Sequence, residues 1–223
     1  MFDWIIQNKE ILKLIYGALV TLICFIIVLK SDRLFRISLH QGIRYFRNAF
    51  FFYGLAFAVR YLAFALTTFD VINLNELILK FFFEFFLIMG GFFLLYSLIW
   101  RKIESRKSYF SSLFHPSVIV FYLMAIILSF ADILWKKFYF LFVSQLILFL
   151  AMSVISGINY TKKQGGFLKF YFIAMVFGLI AWALNGSVSW MNWSPLALTI
   201  IYALNIIIFL LFLLGMFYAL RMR

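Results

Sequence analysis

The sequence predicts an all-α membrane protein, a single seven-helix bundle, and three observations carry that prediction. Hydrophobic residues fill 66% of the 223 positions and charged residues 13%, where a soluble domain is about 45–50% apolar and about 25% charged. The apolar residues gather into continuous runs of roughly 20, the length that crosses a hydrocarbon core. Only 2 Pro occur in the whole chain. Lipid admits helices or closed barrels alone, because backbone N–H and C=O groups find no water there, and runs this long lack the alternation of barrel strands. A soluble globular enzyme, a coiled coil and a disordered chain are excluded together.

The first span, 11–30, follows Lys9 and Glu10 and closes at Lys30. With acid ahead of it and no A-x-A-like site behind, it is expected to be a retained helix and not a cleaved signal peptide. The second, 48–69, lies between Arg47 and Asp70, and the third, 77–100, between Glu76 and Arg101. A basic loop leads to Pro116, which suits the first turn of a helix and opens the fourth span, 116–134. Asp132, Lys136 and Lys137 alone divide it from the fifth, 138–158. The loop TKKQGG precedes the sixth, 167–185. An uncharged stretch with Trp190 and Trp193, expected to belong with Trp182 to an interfacial aromatic belt, precedes the seventh, 196–220.

Orientation follows from Lys and Arg, which favour the cytoplasmic side. With the N-terminus outside, the inner segments carry Lys30, Arg33, Arg36, Arg44 and Arg47; Arg101, Lys102, Arg106 and Lys107; Lys162, Lys163 and Lys169; and Arg221 and Arg223. That is fourteen of the 20 bases. The outer segments carry Lys9, Lys13, Lys80, Lys136 and Lys137, and Arg60 falls inside a span. The reading is therefore N-terminus out and C-terminus in. The net charge of +12 is topology, not a nucleic-acid surface, since the bases are scattered at helix ends.

Between the first two spans, Arg33, Arg36, His40, Arg44 and Arg47 recur at helical spacing, beside an apolar stripe of Phe35, Leu39, Ile43 and Phe46. The pattern predicts an interfacial amphipathic helix over 31–47, with the Arg row on anionic headgroups at the cytoplasmic face. Gly42 marks an alternative bend into the second span. The same row is a candidate contact for a protein partner.

Charges at membrane depth are functional candidates by default. Arg60 and Glu84 lie at matching depth on antiparallel spans, which predicts an ion pair. Lys80, one turn before Glu84, competes for it. Tyr53, Arg60 and Thr67 at i, i+7 and i+14 give the second span a polar face turned into the bundle. The pair either fixes helix register or forms a ligand or coupling site. Ser144, Gln145, Ser153, Ser156, Thr199, Tyr202 and Asn205 are expected to hydrogen-bond between helices, and Gly54, Gly90, Gly91 and Gly157 to allow close helix contact.

Two His and one Cys stand apart from carboxylates, so no metal site and no cofactor are predicted. Catalytic motifs are missing: there is no C-x-x-C, H-E-x-x-H or G-x-S-x-G. Residues 196–220 contain no Lys on which a retinal Schiff base could form. The expectation is a non-enzymatic, receptor-like or sensory bundle in the cell membrane, holding a small or lipidic ligand and coupling to a cytoplasmic or membrane partner. The alternatives are a transporter or ion-conducting protein using Arg60 and Glu84, and a scaffold subunit of a membrane complex.

Overall fold

The computed structural model describes residues 9–68, 75–103, 116–135, 138–163, 165–188 and 195–221. Among them seven helices run in chain order: α1 (Lys9–Ser38), α2 (Gln41–Thr68), α3 (Glu76–Ile103), α4 (Pro116–Leu134), α5 (Tyr139–Lys163), α6 (Gly166–Val188) and α7 (Pro195–Arg221). Six are long and apolar enough to cross a membrane, and α4 is shorter. Five of the predicted spans fall inside their helices; 138–158 begins one residue before α5, and the last residue of 48–69 lies outside the described residues. Lys136, Lys137, Trp190, Trp193, Arg106, Lys107, His115 and Arg223 lie outside the described residues.

The separate basic helix over 31–47 does not form. α1 continues unbroken through Arg33 and Arg36 to Ser38, and α2 begins at Gln41, so the segment is the corner of a helical hairpin. α1 has no Pro and runs straight through its one glycine, Gly17, and its 30 residues rise about 45 Å, well beyond a roughly 30 Å hydrocarbon core. The bases thus ride on the protruding ends of two long helices. Arg33 and Arg36 sit on one, Arg44 and Arg47 on the other, with His40 between. Asp32 ties the two together, accepting from Arg36 Nε at 2.9 Å and from the Arg47 guanidinium.

Leu39 turns the corner with φ at 51°, and its N–H closes α1 by donating to the Phe35 carbonyl at 2.7 Å. Left-handed backbone disfavours any residue with a Cβ, and the Leu39 side chain is 71% exposed, so little packing offsets the cost. Leu39→Gly is expected to raise thermal stability in detergent by about 0.5–1 kcal/mol. A lower unfolding temperature would show that Leu39 anchors the corner by burial.

The helices close a ring that skips α4. α1 packs on α2 and α7, α2 on α3, α3 on α5, α5 on α6, and α6 on α7; α4 leans on α3 and α5 from outside. α3 is the hub, burying 56% of its apolar window against 28–39% for the other five long helices. Adjacent glycines make this possible. A Cβ on Gly90 would meet the Tyr53 ring at 3.0 Å, and one on Gly91 the Gln145 amide oxygen at 3.0 Å, so α2 and α5 both press against α3. Gln145 Nε2 donates to the Leu87 carbonyl at 3.4 Å, as expected of a polar group between helices. Leu62, Ile127, Ile147 and Leu150 point outward and are exposed. Apolar residues on the outside of a bundle whose interior is also apolar are what a lipid solvent requires.

Candidate functional site

Inside the ring, at the end away from the Arg-bearing corner, lies a cavity of about 290 Å³ lined by all six ring helices and by no residue of α4. α1 contributes Tyr16 and α2 contributes Phe50, Tyr53, Phe57, Arg60 and Tyr61. Trp182 and Asn185 come from α6, and Tyr202 and Asn205 from α7. The remaining wall is largely Phe, Leu and Ile. Among the described residues, Arg60 is the one charged residue of the lining and pairs with no carboxylate.

The Arg60 guanidinium lies 4.5 Å from the centre of the Phe83 ring and 6.0 Å from that of Tyr61. Such contacts hold a cation over aromatic faces without neutralising it. Tyr16, Tyr61 and Tyr202 share the lining with Arg60. Tyr16 stacks on Tyr202 at 4.6 Å and meets Tyr61 edge-on at 5.6 Å, and Asn205 shares the same lining. A fixed positive charge, three phenols and a carboxamide therefore converge at one end of an aromatic chamber.

The expected Arg60–Glu84 ion pair is not formed. Glu84 follows Phe83 by one residue, about 100° around the helix, so when Phe83 faces Arg60 the carboxylate faces α4 and α5. It pairs there with Lys80 Nζ at 3.7 Å. Lys80 also donates to the Asp132 carbonyl at 3.3 Å and covers the Phe138 ring at 4.3 Å. The Asp132 carboxylate accepts the N–H groups of Phe140 at 2.9 Å and Leu141 at 2.7 Å, capping the start of α5. This cluster pins the α4–α5 corner to α3, and neither Lys80 nor Glu84 lines the cavity.

The predicted polar face of α2 holds in part. Tyr53 and Arg60 line the cavity, but Thr67 is exposed and turns its hydroxyl back on the Ala63 and Phe64 carbonyls, each at 3.0 Å. A seven-residue spacing drifts about 20° per step around an α-helix, and Thr67 lies at the last turn. Sequence reasoning assigned Tyr202 and Asn205 to interhelical packing and Trp182 to an interfacial belt. Trp182 sits near the end of α6 against Phe142, with ring centroids 6.0 Å apart, and lines the chamber.

A second cavity, about 350 Å³, occupies the Arg-bearing end. His40, Trp100, Ser97 and Asn159 are among its lining residues, and His40 meets Trp100 edge-on at 5.2 Å. The bases Arg33, Arg36, Arg44 and Arg47 lie at this end but outside its lining. No cluster of potential metal ligands occurs among the described residues.

Over 212 residues the chain is 26% identical to an uncharacterized protein of Archaeoglobus fulgidus, an alignment covering 88% of this chain and 87% of that relative. No family model and no solved structure matches the chain.

Proposed function

We propose that this chain is a seven-pass receptor-like membrane protein, N-terminus out and C-terminus in, that binds a single-chain amphiphilic anion in the Arg60 chamber without chemically transforming it. The observation that carries the reading is the chamber's inventory among the described residues: one guanidinium and a cluster of hydroxyls and amides at one end, aromatic and aliphatic wall elsewhere, and no acid. A phosphate or carboxylate head would take the Arg60 and tyrosine donors, since charge-assisted hydrogen bonds are roughly twice as strong as neutral ones. An alkyl or isoprenoid tail would take the Phe-lined wall. At about 290 Å³ the chamber sits at the lower edge of small-ligand pockets, roughly 300–1,000 Å³, which favours one chain over two. On this topology the Arg-bearing corner faces the cytoplasm, where Arg33, Arg36 and Arg44 suit anionic headgroups or an acidic protein partner.

Thermal unfolding in a neutral detergent tests the reading. Dodecyl phosphate is expected to raise the unfolding temperature, and dodecyltrimethylammonium, with the same tail and opposite charge, is not. A ligand at 100 times its Kd adds about 2.7 kcal/mol of stability, enough to resolve. Arg60→Gln should leave the unliganded protein as stable as the parent, because Arg60 is exposed, while weakening dodecyl phosphate about tenfold or more. Equal response to both amphiphiles, or to dodecyl phosphate with and without Arg60, would sink the assignment.

A further inference from the structure

The same six helices that line the Arg60 chamber also line the second cavity, and α4 contributes to neither. The two are therefore stacked along the ring's interior. They are parted by four buried rings: Phe46 and Phe50 of α2, Tyr171 of α6 and Phe212 of α7. Phe50 and Phe212 bound the chamber, while Phe46 and Tyr171 bound the second cavity. Ring centroids lie 4.7 Å apart for Phe46 and Phe50, 5.0 Å for Phe50 and Phe212, and 5.5 Å for Tyr171 and Phe212. On α2 the partition is one helical turn thick, about 6 Å, and it is made of side chains. Its one polar fastening is the Tyr171 hydroxyl, which donates to the Leu94 carbonyl at 3.2 Å and lies 3.3 Å from the Ser97 hydroxyl.

We infer that the two cavities are one interrupted path, along which a single-chain amphiphilic anion crosses the bundle when the Phe46–Phe50–Tyr171–Phe212 partition parts. The inference rests on the ligand reading above and extends it from binding to passage. Among the described residues no acid lines either cavity, so an anion meets no like charge on these walls. Each end offers polar groups for a head: Arg60 with its tyrosines at one, and His40, Trp100 and Asn159 at the other. Arg60 stands 20 positions beyond His40, about 30 Å along a helix, which matches the thickness of a hydrocarbon core. Parting the rings calls for rotation of aromatic side chains and the loss of one hydrogen bond, with the helix backbones left in place.

Radiolabelled dodecyl phosphate, added at pH 8 to phosphatidylcholine vesicles holding the full chain and stripped with cyclodextrin, reads the passage. Only the outer leaflet is strippable, so crossing appears as loss of strippable label. That loss is expected to be faster with protein than without, faster still with Phe212→Ala, and about tenfold slower with Arg60→Gln. If Phe212→Ala does not purify as a monodisperse protein, Phe212→Leu reads the same quantity with a smaller acceleration. Strippable label that stays at the protein-free level in the parent and the Phe212 variants, while dodecyl phosphate still stabilises the protein through Arg60, overturns the path and leaves the binding site standing. Absence of any Arg60-dependent stabilisation overturns both.

Discussion

Lys80→Met is expected to destabilise the protein by about 3 kcal/mol or more, and Glu84→Gln in the same chain to restore most of that loss. The Glu84 side chain is 0% exposed, and its one ion-pair partner among the described residues is Lys80. Removing one member of a buried pair leaves the other charge in a medium that cannot solvate it, a penalty of about 3–5 kcal/mol. Gln at position 84 removes that charge. Recovery stays incomplete, because Lys80 also donates to the Asp132 carbonyl, a bond worth about 1 kcal/mol. The measurement is thermal unfolding of the parent, both single variants and the double variant in one detergent, read as a double-mutant cycle. A double variant no more stable than Lys80→Met would mean that Lys80 acts through its aliphatic stem and the α4–α5 corner alone. Since Glu84 lies outside the chamber, Glu84→Gln is expected to leave dodecyl phosphate binding intact. That separates the cluster from the ligand site.

The helices were legible in the sequence because membrane solvation writes them in plain apolar runs with charged ends. The corner at Leu39 was not. The Arg33–Arg47 spacing fits one continuous helical face, and nothing in that spacing encodes a single residue at φ 51° that folds the face in two. Arg60 was singled out by its depth, which is a property of one helix. Its partners depend on rotation about a second helix, and a one-residue difference on α3 sent Glu84 to Lys80 and Phe83 to Arg60. The chamber itself was hidden for a related reason. Tyr16, Trp182, Tyr202 and Asn205 come from three helices, and each one alone reads as ordinary packing or an interfacial aromatic. Tyr202 and Asn205 at i and i+3 share a face of α7 with Thr199, and that was the one available signal. Which helix closes the ring against α3 is likewise set by contacts distant in sequence: the fit of Gln145 and Leu148 onto Gly91 places α5 there and pushes α4 outside.

Gly17→Ala is expected to cost about 2–3 kcal/mol and to abolish ligand binding, although residue 17 does not line the chamber. A Cβ there would stand 2.1 Å from Cγ and 2.6 Å from Cβ of Tyr61. Overlap with the root of a side chain cannot be relieved by swinging its tip, so α1 and α2 must separate, and overpacking of this kind typically costs about 1–3 kcal/mol. Tyr61 is the neighbour of Arg60, stacks on Phe57 with rings 6° from parallel, and meets Tyr16 edge-on. Displacing it moves the phenols and the guanidinium together. The signature differs from that of Arg60→Gln, which removes the preference for an anion and leaves stability unchanged. Gly17→Ala should lower stability and weaken dodecyl phosphate in one step. Gly186→Ala is the control, since a Cβ there meets nothing within 4 Å and Ala is favoured over Gly in a helix by about 1 kcal/mol. Its unfolding temperature should match or exceed the parent's. If Gly17→Ala behaves like Gly186→Ala, then α1 and α2 do not pack at residue 17 as closely as the chamber requires, and the convergence of Tyr16, Tyr61 and Arg60 loses its structural basis.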